Sequence, residues 1–450
     1  MTLSFHPGAA KRLSDLGEKL AADISHLKAS PQARGEEVFT PDVVVNHTIS
    51  AKTIQNICFN ETNAAGEEVV RTFIAGNREV SVEGTLLCEF HALCDRILKD
   101  KSFGMAVSHG NVTKAVHSWL EARLASAQVA TLPDFLVAEL GKRLAEWEVW
   151  VPLPNLCIQS TIPVSKGHLR SVTREVFEGW KARIPRPPER KKDAKRFGQA
   201  FENRRDALQG YAAGVFSVIA DDDRAGDIAV ELTQGAIAAL RVFHAACLEP
   251  NAVCATDVKY AATRPDYTVI SFSAQSVVLR SLALAGATPP WTLSDSRIKW
   301  IRQNGLDGIC AVFEDEKPTE FKREYIDALL LYSRAPLWPD LSDRLLYLLV
   351  PLESLFLKSQ SEPIQQNVAE RLALFIGSDL ATRKKIIRAV RTVYEQRSAF
   401  VHHAHRVSDV ASLRTFMLYA WMAMVSLPGV LTRWGSREEF LTSLDDKKLS

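Results

Sequence analysis

Ten residues near the C-terminus, 394–403, read Tyr-Glu-Gln-Arg-Ser-Ala-Phe-Val-His-His and set Arg397 five positions before His402. Arginine is always charged and grips a phosphate through a planar fork of donors. Histidine titrates near neutrality and moves protons. Together they suffice, in kind, to break a phosphodiester without a metal ion. Of all the histidines in the chain, only His402 and His403 follow an arginine by five to seven residues, and for both it is Arg397. Five helical residues turn about 140°, so Arg397 and His402 do not stack on one face. A symmetric second helix would help to bring them together.

These residues lie in a region that reads as helix from about residue 321 to the end, with helices expected at 321–333, 340–358, 363–377, 380–404, 408–427 and 436–447. Asp379 is a candidate N-cap, and Ser436 followed by Glu439 has the spacing of a capping box. Short connections favour an antiparallel bundle.

The rest of the chain is of mixed character. Residues 43–45, 53–59 and 69–74 are β-branched runs suited to strands, followed by helical periodicity at 84–101, 111–128 and 132–148. Residues 147–154, with Trp147 and Trp150, alternate like a strand and suit a core edge. A basic, proline-rich passage at 183–192 suggests a linker. Beyond it, 193–219 and 225–248 read as helices, and 267–284 as a strand whose second half could be helical. The expected class is α+β overall, with a mixed α/β domain at 1–182, a mostly helical middle at 193–320 and an all-α bundle at 321–450.

Composition narrows the function classes. The chain has 450 residues, 46% apolar and 24% charged, with a formal charge of only +2, so any nucleic-acid site must come from local clustering. Seven cysteines form no CxxC pair, which suits reduced thiols better than a disulfide framework. The N-terminus lacks the apolar run of a signal peptide. The most apolar stretch, 416–430, contains Pro428 and falls short of the roughly 20 residues of a membrane span. A soluble cytoplasmic protein without a membrane partner is expected.

The bundle resembles a HEPN domain, specifically the ApeA-like branch, over roughly a quarter of the chain. The matching text is 349–356 with Glu353, 368–375, and the helix carrying Tyr394, Arg397, Ser398 and His402. Where that branch often has glycine after the histidine, this chain has His403, Ala404 and His405. The resemblance implies a metal-independent endoribonuclease that needs no cofactor and acts on RNA as a homodimer with a composite site. Arg397 would hold the scissile phosphate and His402 would transfer protons, with His403 as the rival histidine. Ser398 would support the phosphate or orient the histidine, and Glu353 would orient Arg397 or His402. It further implies an anti-phage effector of the abortive-infection kind, whose N-terminal region senses or restrains until a phage or nucleic-acid trigger arrives. The alternative is a non-catalytic HEPN scaffold module, in which Arg397 pairs with Glu395 or Glu353 and the histidines merely end a helix.

Weaker signals lie elsewhere. Residues 181–206 hold ten Lys and Arg against four Asp and Glu. Within them Arg190, Lys191, Lys192, Lys195 and Arg196 are candidates for RNA contact, together with Arg406 near the histidines. Cys88, His91 and Cys94 share a helical arc but read as core cysteines rather than a zinc site. Asp221, Asp222 and Asp223 read as a turn and cap rather than a cation site. No metal site is assigned.

Overall fold

Buried strands and amphipathic helices can carry the same apolar content, and this chain uses both. The computed structural model describes residues 2–27, 43–49, 57–63, 65–75, 78–126, 128–183, 199, 202–205, 208–258, 267–273, 277–282, 290–359 and 361–448. Its contacts divide into two units, 1–147 with 219–225 and 148–218 with 226–450. That division differs from the three segments drawn from the sequence. The class is α+β.

The first unit begins with α1 (Pro7–Ser25) and an antiparallel sheet in the order β1 (Val43–Ile49), β2 (Ile57–Asn63), β3 (Glu68–Ala75), β4 (Arg78–Glu83). The helices α2 (Gly84–Leu98), α3 (Lys101–Ala106), α4 (His109–Ala125) and α5 (Leu132–Gly141) follow. Its core gathers Leu20 and Ile24 of α1, Phe73 and Val82 of the sheet, and Phe90, Val116 and Trp119 of the helices. Asp221 is fully buried and accepts from Ser108 N, Ser108 Oγ, Asn111 Nδ2 and Arg224 N at 2.7–3.0 Å. It therefore caps two helix starts, which accounts for the Asp run without a cation.

The second unit is built partly on a six-stranded sheet. Its strands include β5 (Ala145–Leu153), β7 (Ile162–Val164), β8 (Gly167–Ser171), β9 (Ala212–Ala220), β10 (Tyr267–Phe272) and β11 (Val277–Leu282), in the order β11-β10-β5-β9-β8-β7. The short β6 (Leu156–Ile158) pairs in parallel with β12 (Trp291–Leu293). Trp150 and Trp180 of α6 (Arg174–Ala182) pack edge to face with centroids 5.0 Å apart.

Two expectations are corrected here. Residues 212–219, read as the end of a helix, are strand β9. This strand is apolar on both faces, and periodicity cannot separate such a run from a buried helix. Gly214 shows how tightly it packs, since a Cβ there would stand 2.5 Å from Thr233 Oγ1 on α7 (Asp222–Arg241). Residues 267–272 and 277–282 are two paired antiparallel strands, so the described part of the second half is strand and not helix.

After α8 (Asp295–Ile301) and α9 (Asp307–Glu314), the bundle comprises α10 (Glu320–Tyr332), α11 (Leu341–Phe356), α12 (Ile364–Ile376), α13 (Leu380–His403), α14 (Val410–Ser426), α15 (Pro428–Leu431) and α16 (Arg437–Asp446). The six main helices fall within one or two residues of the ranges read from periodicity. Asp379 caps α13 through Thr382 N at 2.9 Å, and Ser436 caps α16 through Glu439 N at 3.3 Å. One further correction concerns the apolar stretch. Residues Val410–Leu431 form a 22-residue helical span of mean hydropathy 1.4, long and apolar enough to cross a bilayer. In this fold Leu413, Phe416, Met417, Ala420, Ala423 and Met424 of that span are buried.

Arg371 pins the bundle. It is 3% exposed. Its guanidinium donates five hydrogen bonds of 2.8–2.9 Å, two to Glu362, two to Asp445 and one to Phe356 O. Removing one partner of a buried pair costs about 3–5 kcal/mol, so Arg371→Met is expected to lose about 3 kcal/mol in chemical denaturation. Burial would raise the Asp445 carboxyl, but hydrogen bonds from Arg371 and Lys358 outweigh it and hold it down at about 2, against the ordinary 3.8. A depressed carboxyl contributes stability that is present above its unfolded value and lost as pH falls through its folded one. Stability should therefore drop between about pH 4 and pH 2, and Arg371→Met should flatten that acid limb. An unchanged limb would show that the pair does not couple to folding.

Candidate functional site

Helix α13 is amphipathic for only part of its length. Its buried residues are Ile386, Ala389, Val390, Val393 and Tyr394, and none follows Tyr394. The last nine residues, 395–403, therefore extend past the core, and they contain Arg397, Ser398, His402 and His403. Two contacts fix this end. Tyr394 donates through its hydroxyl to Glu353 Oε1 at 3.0 Å. Val407 N donates to Ser342 Oγ at 3.1 Å, so α11 runs antiparallel beside α13. Burial pushes the Tyr394 phenol well up, the Glu353 carboxylate pushes the same way, and Arg397 acts in the opposite sense. Tyr394 is thus a neutral donor that holds Glu353.

Arg397 is half-buried, while Ser398, His402 and His403 are exposed. Among the described residues Arg397 makes no hydrogen bond or ion pair, with Glu353, Glu395 or any other group. The helix ion pair allowed by the sequence is not formed, and the guanidinium keeps its donors. Glu353 accepts from Tyr394 through Oε1 and, among the described residues, makes no hydrogen bond with Arg397 or His402. Ser398 and His402 are spaced i,i+4 and so neighbour each other on the helix surface. The rings of His402 and His403 lie 6.4 Å apart between centroids, and those of His403 and His405 5.8 Å apart.

The helix ends in an unusual residue. Ala404 adopts a left-handed conformation, φ 54° and ψ 23°, and its N–H returns to Phe400 O at 2.9 Å while His405 N–H reaches Ala399 O at 3.2 Å. This position favours glycine. Arg406, expected near the substrate, is exposed beside the start of α11. There the Asp340 carboxyl is held down first by the Ser342 N–H, with Arg406 adding its charge.

Arg190, Lys191, Lys192, Lys195 and Arg196 lie outside the described residues. In the first unit, Cys94 is a buried thiol pushed up to about 12 by burial, Cys88 is exposed, and His91 Nε2 lies 3.1 Å from Glu68 Oε2. Among the described residues no cluster of three or more His, Cys, Asp or Glu side chains could hold a metal ion.

The sequence reading overlooked the cations upstream on the same helix. Residues 380–406 carry seven Lys and Arg against one Glu. The signal was present as Lys384, Arg388 and Arg391 at helical spacing. Comparison of the chain with protein-family models, with curated proteins and with solved structures finds no match.

The left-handed Ala404 supplies a direct test. A non-glycine residue there is strained by roughly 1–2 kcal/mol, offset partly by the extra freedom glycine has when unfolded. Ala404→Gly is expected to stabilise the protein by about 0.5–1 kcal/mol in denaturant unfolding. A loss of stability would contradict the assigned turn.

Proposed function

We propose that this chain is a metal-independent endoribonuclease of the HEPN type, with its catalytic half-site at the projecting end of α13. The observation that carries the reading is the uncommitted guanidinium of Arg397, five residues before a pair of exposed histidines. Arg397 binds the non-bridging oxygens of the scissile phosphate and stabilises the charge that builds there. His402 takes the proton of the 2′-hydroxyl as the 2′-oxygen bonds to phosphorus. The bond from phosphorus to the 5′-oxygen breaks, and a second imidazole protonates that oxygen. The products are a 2′,3′-cyclic phosphate and a 5′-hydroxyl.

Arg397 and His402 diverge by about 140° around the helix, so the complete site calls for two copies of the chain. Arg397 of one then meets His402 of the other. Val401 is 49% exposed on this end, and Gln396 has both amide atoms buried without a hydrogen-bond partner. The exposed Val401 is apolar surface that a second copy would cover. His403 lies next in sequence and supplies the rival imidazole. Tyr394, held by Glu353, anchors the helix one turn before Arg397. By resemblance, the protein serves as an abortive-infection effector against phage, with the residues before 320 restraining the cut until a trigger arrives.

Purified protein incubated with total RNA in EDTA is expected to cut, leaving 2′,3′-cyclic ends. His402→Ala should lower the rate by about 10²–10⁴ and Arg397→Ala by at least about 10². Intact RNA at high protein concentration, together with equal harmlessness of wild type and His402→Ala in phage-challenged cells, would instead favour the scaffold module. Loss of activity in His403→Ala with His402→Ala unaffected would move the proton-transfer role by one residue.

A further inference from the structure

We propose that the solvent face of α13 is a track for the RNA backbone, in which Lys384, Arg388 and Arg391 contact successive phosphates and lead the strand to Ser398 and His402. The inference rests on the nuclease reading for its ligand, but it concerns binding and can fail separately.

The track follows from helix geometry. Lys384, Arg388, Arg391, Glu395, Ser398 and His402 are all exposed, whereas Ile386, Ala389, Val390 and Val393 on the opposite side are buried. At 3.6 residues per turn these six positions lie within about 40° of one line, and Lys384 stands five full turns, about 27 Å, from His402. Glu395 is the one acid in the row.

The bland account of a surface charge run does not fit well. Among the described residues, the side chains of Lys384 and Arg388 make no hydrogen bond or ion pair. Arg391 is near Glu370, but that carboxylate is already paired with Lys448 at 2.8 Å. Arg383, off the row, is committed to Gly377 O at 3.2 Å. Cations spaced i,i+3 or i,i+4 repel by a few tenths of a kcal/mol each. No ion pair to Lys384 or Arg388 offsets the row, whereas a polyanion would. The row carries cations with no aromatic platform or amide side chain between them, so its contacts are to phosphates, which carry no sequence information.

The test uses the full chain carrying His402→Ala, so that bound RNA is not cut, and a fluorescein-labelled single-stranded RNA of roughly 20 nucleotides. Anisotropy titrations are run at stepped KCl concentrations. Each phosphate contact contributes about 0.7 to the slope of log K against log salt for single strands. Lys384→Gln should make the slope shallower by about 0.7, and the triple change with Arg388→Gln and Arg391→Gln by about 2. Lys385→Gln, about 100° off the row, should leave it unchanged. Thermal unfolding of each variant checks that these exposed changes leave the fold intact. An unchanged slope in the triple variant overturns the track, as does a Lys385 effect equal to that of Lys384. RNA bound through the row but never cut by the wild type overturns the nuclease reading and leaves the track standing. RNA cut by the wild type with no dependence on the row overturns the track alone.

Discussion

A guanidinium buried away from water must find a partner for every N–H, and in the second unit that requirement organises the fold. Arg371 meets it with two carboxylates and one carbonyl, tying the end of α11, the body of α12 and the C-terminal helix α16 together. Arg344 is fully buried and meets it with carbonyls, reaching Trp338, Glu249, Pro250 and Ala252. Arg241 meets it only in part, bonding to Ser333 O, Thr256 O and Asp257 Oδ1 while its buried Nε has no partner among the described residues. Arginine cannot shed its proton to escape burial, so each of these sites holds only one arrangement of the chain segments around it. Such networks add specificity more surely than net stability.

That anchoring lets α13 run beyond the core. Full burial ends at Tyr394, and the nine residues after it are half-buried or exposed while keeping their helical form, held by the Tyr394–Glu353 bond and by the left-handed turn at Ala404. A helix end of this kind leaves polar side chains free to meet a ligand or a second chain. It also explains why Glu353 lies close to the candidate site without acting on Arg397. Its carboxylate serves the tyrosine that marks where burial stops.

The arrangement separates two duties around one helix. The half-buried side carries Arg397 and the exposed side carries Ser398 and His402, with the row of cations leading toward them. In one copy the two chemical groups point apart. In a symmetric pair the same divergence becomes a means of meeting, which is why a composite site is the economical reading of a geometry that looks poor in isolation.

How much was legible from residues alone depends on how local each signal is. The bundle helices, their caps at Asp379 and Ser436, and the Arg397–His402 spacing are properties of adjacent residues, and the α+β class follows from the change of hydrophobic period along the chain. Three matters needed the tertiary structure. Strand β9 was hidden because its first five residues, 212–216, are buried on both faces and so show no alternation. The partner of Glu353 was hidden because 41 residues of chain separate it from Tyr394. The freedom of Arg397 was hidden because an ion pair permitted by spacing forms only if the packed helices turn both groups the same way. Sequence therefore determined which chemistry this helix can offer, through side-chain type and periodicity. Tertiary packing decided which of those groups are spent holding the fold and which remain available, because that depends on contacts between residues distant in the chain.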